Sequence, residues 1–336
     1  MVQKSKITIA DIATKADVSI STVSRVLNNT APVAESTRQA VLEAMQALDY
    51  RPNIFARGLA SGQSMTVGVL TQHIHSPLYG SLIRGILEEM DNSPYTPLFV
   101  DGYWQRQREE RLVETLLRRR VDGLIILGGD LPLERLQEAA RQVPLIVFGQ
   151  NVPGLETQCL QLDDYEGAYR ATEHLIALGH RRIAHVTGNL AHSDAVARRD
   201  GYLQALRDNR IEPVPELMAE GEYTEQSGLI AMEMLFGRGR TFSAVFAAND
   251  ESGYGVRLAL YRRGIRVPED ISLVGFDDIP SSAYTTPPLT TVRQPATEIG
   301  RAAAEAILKL IQDEPFELPQ ISMELIIRES TSRYLK

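Results

Sequence analysis

The spacing of apolar residues near the N-terminus predicts short helices. Along three successive segments these residues recur at intervals of three or four, as they do on the buried face of an amphipathic helix. The three stripes are Ile9, Ile12, Ala13 and Ala16; Val23, Val26 and Leu27; and Val41, Leu42, Met45 and Leu48. Pro52 follows the third stripe and ends it, because proline lacks the backbone N–H that a helix needs.

Polar residues mark the starts of the first two helices. Thr8 precedes the first stripe and Asp11 follows three residues later, which is the spacing of a capping box with Asp in place of Glu. Ser19 precedes the second stripe and can cap its free backbone N–H groups. Only the short stretch "ADV" separates the two helices, so we expect a tight turn between them.

Beyond Ser64 the pattern changes to short apolar runs that alternate with amphipathic segments. Runs such as "MTVGVLTQ", "VDGLIILGG" and "DISLVGFDD" are separated by segments of helical period such as "YGSLIRGILEEM". This alternation predicts an α/β core of βαβ units, with parallel sheets buried on both faces. The length of this part favours two lobes, with a ligand cleft at the carboxyl ends of the strands.

The composition mainly excludes other classes of protein, namely membrane, secreted and disulfide-bonded proteins. Hydrophobic residues make up 43% and charged residues 23%, which is ordinary for a globular protein. The sequence has no run of about 18 apolar residues and no secretory signal pattern, so we expect a cytoplasmic protein without a membrane partner. The single cysteine, Cys159, allows neither an internal disulfide nor a cysteine-based zinc site.

Charge separates the N-terminal segment from the rest. Residues 1–62 contain seven Lys or Arg and five Asp or Glu, a net charge of +2, in a chain whose total is −8. The remaining residues therefore carry −10. A basic segment on an acidic chain indicates a separate role, although +2 is a weak signal alone.

The segment "DVSISTVSRVLNN" has the pattern of a DNA-reading helix. In a helix-turn-helix, the N-terminal part of the second helix meets base edges in the major groove. Ile20 and Ser21 occupy those first positions, and Thr22 and Ser24 can donate hydrogen bonds to phosphates. Arg25 shares a face with Ser21 and can reach guanine. An ordinary surface helix is the alternative, because this local pattern has many false positives.

The motifs along nearly the whole chain resemble those of lactose-repressor (LacI/GalR)-type bacterial transcription regulators. The headpiece resemblance lies in "ITIADIATKADVSISTVSRVLNN", "STRQAVLEAMQALDYRPN" and "ARGLASGQS". The core resemblance lies in "HLIALGHRRIAHVTG", "VFAANDESGYGVRLALYRRGIRVPEDISLVGFDDI" and "PPLTTVRQP", and this core is also similar to periplasmic sugar-binding proteins. The resemblance implies a homodimeric repressor that binds a palindromic operator and is controlled by a small effector, a sugar or sugar acid.

The resemblance also implies a division of the chain. We expect a helix-turn-helix headpiece at 1–52, a hinge helix or linker at 53–63 and an effector-binding and dimerisation core at 64–336. In the core, one lobe comprises about 64–163 and 294–325, and the other about 164–293 and 326–336. The C-terminal "ESTSRYLK" contains no heptad helix, which favours a dimer over a tetramer.

By position, the resemblance assigns DNA contacts to single residues. Ile20 and Ser21 match the main specificity positions, and Arg25 matches a base-reading arginine. Leu59, in the hinge, matches a leucine that wedges into the minor groove. The expected DNA contacts are Thr8, Ser19, Ile20, Ser21, Thr22, Ser24, Arg25, Asn28, Asn53, Ala56, Arg57 and Leu59. Gly58 departs from the family pattern, and glycine costs a helix about 1 kcal/mol relative to alanine.

Cleft residues follow from the resemblance in the same way. The matches supply aromatic rings for the C–H faces of a sugar and polar groups for its hydroxyls. The expected effector contacts are Tyr79, Trp104, Gln150, Asp194, Arg198, Tyr223, Asn249 and Asp277. Trp104 can instead cover a lobe surface, and Asp277 can instead cap loop amides. We expect Asp250 to cap the helix that follows it. Gly149 replaces a carboxylate of a sugar-binding relative, so no specific sugar is assigned.

No cofactor or metal is expected. His73 and His75 are spaced i, i+2, but no third ligand accompanies them in the sequence. Neither the P-loop pattern nor the G-x-S-x-G elbow is present in the sequence, so we do not expect an enzyme. Two other functions stay open, namely a cytoplasmic sugar-binding sensor without a DNA role and an enzyme that reuses the two-lobed core.

Overall fold

Residues 7–28 and 31–50, the described part of the N-terminal segment, form three helices, as the apolar spacing predicts. They are α1 (Ile9–Ala16), α2 (Ile20–Asn28) and α3 (Glu35–Ala47). The computed structural model describes residues 7–28, 31–50 and 63–334, without the side chain of Asn28. The predicted hinge contacts Asn53, Ala56, Arg57 and Leu59, together with Gly58, lie outside the described residues.

The apolar stripes of these helices meet in one small core. Ile12, Val23 and Val41, one from each helix, are fully buried there. Asp17 ends α1 in a left-handed conformation, with φ of 52°, and so produces the tight turn before α2. At the start of α1 the Asp11 carboxylate accepts hydrogen bonds from the backbone N–H and the hydroxyl of Thr8, at 2.7 and 2.8 Å.

The rest of the described chain, residues 63–334, contains two sheets and the helices that connect their strands. Their strands, in chain order, are β1 (Thr66–Thr71), β2 (Thr96–Asp101), β3 (Gly123–Leu127), β4 (Leu145–Phe148), β5 (Cys159–Leu160), β6 (Ile183–Thr187), β7 (Met218–Glu220), β8 (Ala244–Ala247), β9 (Ser272–Asp277), β10 (Thr290–Arg293) and β11 (Glu324–Ile326). The first sheet has the order β2-β1-β3-β4-β5, and the second has the order β11-β10-β9-β8-β6-β7. β1 to β5 other than β2 pair in parallel, as do β6 to β10, and β11 runs antiparallel to β10.

Helices connect the strands, as βαβ units require. They are α4 (Pro77–Met90), α5 (Arg106–Arg118), α6 (Leu133–Ala140), α7 (Asp164–Ala177), α8 (Ser193–Asp208), α9 (Glu225–Gly237), α10 (Asp250–Arg262) and α11 (Ala296–Ile311). The helices pack closely in pairs, and α9 meets α10 at two glycines. A Cβ atom at Gly255 would lie 1.9 Å from the carbonyl oxygen of Glu225, so only glycine permits this approach.

Each sheet is the centre of one lobe, and the chain passes between the lobes three times. The passages are residues 161–163 after β5, residues 294–295 after β10 and residues 312–323 after α11. β11 therefore straddles the expected boundary at 325/326. The predicted fold class, an all-α headpiece followed by a two-lobed core with parallel sheets, is confirmed.

The three N-terminal helices and the two-lobed core fall into separate compact units. The first unit extends to Thr66 and includes Arg120–Asp122, and the second comprises Val67–Arg119 and the chain from Gly123 onward. Within the ranges described above, no helix combines the length and apolar character needed to cross a membrane.

Candidate DNA interface and effector cleft

The N-terminal half of α2 presents the predicted DNA-reading residues to solvent. The side chain of Ile20 is 57% exposed although it is apolar, while Val23 on the same helix is fully buried. Ser21 and Arg25 are also exposed. The amphipathic helix therefore buries the stripe that the sequence predicts and leaves its polar face open, which the major-groove role requires.

Hydroxyl groups at the start of α2 form a local network. The Ser19 hydroxyl lies 2.8 Å from the hydroxyls of both Ser21 and Thr22, and it accepts the backbone N–H of Thr22 at 3.1 Å. Ser19 thus caps α2, as predicted. Ser24 is half-buried and Thr8 is exposed.

A cavity of about 270 Å³ lies between the two lobes. Residues from both lobes line it, and they follow the carboxyl ends of strands or begin helices. The lining comprises Leu78, Tyr79, Trp104, Gly128, Gly129, Phe148, Gly149, Asn151, Gln161, Leu162, Asp163, Asp164, Tyr165, Ser193, Asp194, Ala197, Arg198 and Gln294. Its volume is near the lower end of the range of small-molecule sites, about 300–1,000 Å³, so it suits a small ligand.

Arg198 is the cation in this lining and is held by several contacts. Its Nε donates to Asp164 at 2.8 Å and its guanidinium also donates to the carbonyl of Ala248 at 2.7 Å. The guanidinium carbon lies 3.8 Å from the centroid of the Phe276 ring. Only 5% of the Arg198 side chain is exposed. These contacts orient the guanidinium rigidly, with one edge at the cavity.

Aromatic and acidic groups surround the same space. Tyr79 is buried at the start of α4, and burial, followed by the nearby Asp194 and Asp277, raises the pKa of its hydroxyl well above the ordinary value. The Tyr223 hydroxyl donates to Asp194 at 2.9 Å. Tyr223 thereby supports Asp194 from behind and is not part of the cavity lining.

Trp104 is among the residues that line the cavity, and its contact with an effector stays a prediction. Its indole stacks on the imidazole of His192, with 4.3 Å between ring centroids and 19° between planes. Trp104 follows β2 in the first lobe, and His192 precedes α8 in the second. The stack therefore bridges the two lobes at the edge of the cavity.

Three further predicted contacts lie just behind the lining. Gln150 donates to the carbonyl of Gly129 at 2.6 Å and so holds a lining loop. Asp277 is buried with a positive φ of 106°, and it accepts a hydrogen bond from Gln294 at 2.6 Å. Asn249 accepts the N–H of Ser252 at 2.9 Å as the N-cap of α10. Direct effector contact by these residues stays a prediction.

The expectation that Asp250 caps α10 is wrong. Asn249 precedes the first helical residue in an extended conformation, so its oxygen is the one that reaches the free backbone N–H. Asp250 points into the lobe and accepts the N–H of Ile279 at 3.0 Å and the hydroxyls of Ser282 and Thr291, both at 2.6 Å. Burial raises the pKa of Asp250 to about 7.

His73 and His75 contact each other edge to face, with 5.4 Å between ring centroids. His73 also packs on Tyr103 at 5.2 Å. Burial, and next the neighbouring His75, lower the pKa of His73. Both histidines lie in the loop after β1 in the first lobe.

Several residues of the site were not predicted from the sequence. Asp164, the partner of Arg198, begins α7 shortly after a two-residue strand that has no periodic signal. Gln294 lines the cavity and His192 stacks on the lining residue Trp104 because distant segments meet there. The chain passages between lobes, which carry Gln294 and Asp163, cannot be located by local periodicity.

Comparisons with known proteins support this arrangement. Residues 8–53 match the model of bacterial regulatory proteins of the lacI family, and residues 172–331 match the periplasmic binding protein-like domain. The HTH-type transcriptional regulator GalR of Escherichia coli K12 is 39% identical over 330 residues, which cover 97% of this chain and 96% of that protein. The transcriptional repressor CytR of the same organism is 34% identical over 332 residues, 98% and 97% of the two chains.

Solved structures agree with the sequence matches. The lac repressor dimer bound to operator and the anti-inducer ONPF has a TM-score of 0.87 and 30% identity, and covers 97% of this chain and 99% of that chain. The complex of the transcriptional regulator CelR with cellobiose has a TM-score of 0.72 and 32% identity, and covers 96% and 99%. The predicted resemblance to LacI/GalR-type regulators is thereby confirmed. The relatives are transcriptional regulators and not enzymes, in agreement with the prediction. Because the matches cover the headpiece and the core alike, the chain belongs to the LacI family of bacterial regulatory proteins.

Proposed function

We propose that this protein represses transcription by binding a palindromic operator as a dimer, and that an uncharged carbohydrate in the interlobe cavity controls the binding. The observation that carries the DNA role is the exposed face of α2, where Ile20, Ser21 and Arg25 stand open to solvent while Val23 is buried. The relatives with this headpiece include regulators and a repressor by name, and one was solved on its operator.

The charges at the cavity favour an uncharged effector. Asp163, Asp164 and Asp194 line it, whereas Arg198 is the lining cation and is already paired with Asp164. A sugar acid would bring another negative charge into this acidic surrounding, where the low dielectric strengthens repulsion. Hydroxyl groups can instead donate to the carboxylates, and the ring of Trp104 offers a surface for C–H groups. Of the two expected effector classes, we therefore propose the neutral sugar.

A second copy of the chain is the partner that we propose for the outer helices of the second lobe. The helices α9 and α10 expose four large apolar side chains, Ile230, Met234, Leu258 and Tyr261, and Tyr261 is 78% exposed. Exposed apolar groups of this size on neighbouring elements are typical of protein interfaces. The lac repressor with the similar fold was solved as a dimer.

Selection of genomic DNA fragments by the purified full-length protein tests the proposal. The selection is run alone, with a panel of neutral mono- and disaccharides that includes cellobiose, and with a panel of sugar acids. We expect fragments that share a palindrome and that are lost or gained only with the neutral panel. Enrichment of no common sequence under any condition would contradict the DNA role, and a response confined to sugar acids would contradict the effector class.

A further inference from the structure

A buried polar pair lies behind the wall of the cavity. Gln72 directly follows β1, Glu109 lies in the first turn of α5, and both side chains are fully buried. Neither residue is part of the cavity lining. Burying a carboxyl and an amide costs free energy unless hydrogen bonds compensate for the lost water. The hydrogen bonds of this pair join it to the backbone of two cavity loops.

Each member of the pair holds one loop of the cavity wall. Gln72 Oε1 accepts the backbone N–H of Trp104 at 2.6 Å. Glu109 Oε2 accepts the backbone N–H of Asp130 at 2.8 Å, directly after the lining residue Gly129. The Trp104 loop needs such support because Tyr103 and Trp104 have positive φ values of 56° and 54°. Such conformations are unfavourable for residues other than glycine and persist only where the surrounding structure holds them.

The two loops each contribute a glycine that packs closely against the side chains of the pair. A Cβ atom at Gly102 would lie 2.6 Å from Cγ of Glu109 and 2.8 Å from the amide atoms of Gln72. A Cβ atom at Gly129 would lie 2.7 Å from Nε2 of Gln72 and 2.8 Å from Oε2 of Glu109. The two side chains therefore fill the space between the loops after β2 and β3 and set the distance between them.

We propose that Gln72 and Glu109 are positioning residues for effector recognition, because they fix the Trp104 loop and the Gly128–Gly129 turn as the wall of the cavity. This inference rests on the proposed function only in naming the cavity as the effector site. The pair itself does not line the cavity. It acts through the backbone of the two wall segments that do, the Trp104 loop and the Gly128–Gly129 turn.

Fluorescence of Trp104, the only tryptophan in the chain, tests the proposal in full-length protein without added saccharide. In Gln72→Ala and Glu109→Ala we expect an emission maximum at longer wavelength and an acrylamide quenching constant at least twofold higher. Glu109→Gln keeps an oxygen that accepts the Asp130 N–H, so it should restore wild-type values. Glu114→Ala is the matched control, because this half-exposed carboxylate lies on the same helix, paired with Arg118.

Unchanged emission and quenching in both alanine variants, with only a lower melting temperature, would overturn the proposal and leave a purely structural pair. If Glu109→Ala does not fold, Gln72→Ala carries the test alone, because it removes the acceptor of the Trp104 N–H and leaves the carboxyl in place. The result does not depend on saccharide binding, so a failure of the proposed effector class is recognised separately in the DNA selection.

Discussion

The indole of Trp104 and the imidazole of His192 stack across the two lobes, with their ring centroids 4.3 Å apart. An aromatic pair of this kind contributes about 0.5–1.5 kcal/mol beyond the area that it buries. Because its two members come from different lobes, the stack stabilises the closed arrangement of the cavity edge.

Replacing His192 with alanine should open this edge. We expect Trp104 in His192→Ala to be more accessible to iodide, and the free energy of unfolding to fall by about 0.5–1.5 kcal/mol. Stopped-flow quenching and urea denaturation measure the two effects. His174→Ala is the control, because His174 bonds Thr331 within the second lobe. Equal quenching in His192→Ala and the wild type would show that the stack does not close the edge.

Arg198 should be essential for the stability of the second lobe as well as for effector binding. In Arg198→Ala the carboxylates of Asp164 and Asp277 lose their buried cation, and breaking such a pair costs about 3–5 kcal/mol. Arg198→Lys should restore part of the stability but not the directed contacts of the planar guanidinium. Urea denaturation measures both variants. The adjacent Arg199→Ala, whose partner Asp200 is half-exposed, should change little. Equal losses in Arg198→Ala and Arg199→Ala would contradict this.

Asp250 should make the folded state less stable as the pH rises. Its pKa is about 7 in the folded protein against an ordinary value of 3.8, because burial disfavours the charged form. The folded state therefore binds the proton more tightly, and this contribution is complete below about pH 4 and is lost as the pH rises through 7.

Asp250→Asn should flatten this part of the pH dependence. Unfolding free energies from urea titrations at pH 5 and pH 8 should differ less in the variant than in the wild type. Asp91→Asn, at an exposed helix end, is the control and should keep the wild-type difference. The interpretation fails if Asp250→Asn and the wild type lose the same stability between the two pH values.

Arg25 should read one base pair in each operator half-site. Arg25→Ala removes a contact worth about 1–3 kcal/mol of discrimination, so the base preference at that position should disappear from the selected fragments. Arg38→Ala removes an exposed charge from α3 and should weaken binding to all fragments evenly, if at all. A base preference that persists in Arg25→Ala would exclude this role.

Local signals predicted most elements, because helix and strand periods depend on residues close together in the chain. The stripe of Val23, Val26 and Leu27 predicted the buried face of α2, and the Thr8–Asp11 spacing predicted the cap observed on α1. The cap of α10 lies one residue from the position that the sequence predicted. The sequence indicated Asp250 as the cap of α10 and Asn249 as an effector contact, whereas Asn249 caps the helix.

Contacts between distant segments were the part that the sequence could not supply. His192 reaches Trp104 from 88 residues away, and Gln72 and Glu109 meet behind the wall from two different elements. Nothing in the local patterns around these residues marks them, because their roles arise from the order of strands in the sheets. The carboxylate excess around Arg198 likewise needed the assembled cleft.

The segments that connect the two lobes also form part of the cavity wall. Residues 161–163 and Gln294 belong to these passages and also line the cavity, so a molecule bound there would contact the segments that connect the lobes. In a rotation, displacement grows with distance from the axis. If the lobes rotate about these passages, a displacement at Gln294 would therefore be smaller than the displacement that the same rotation produces in parts of the second lobe farther from the axis.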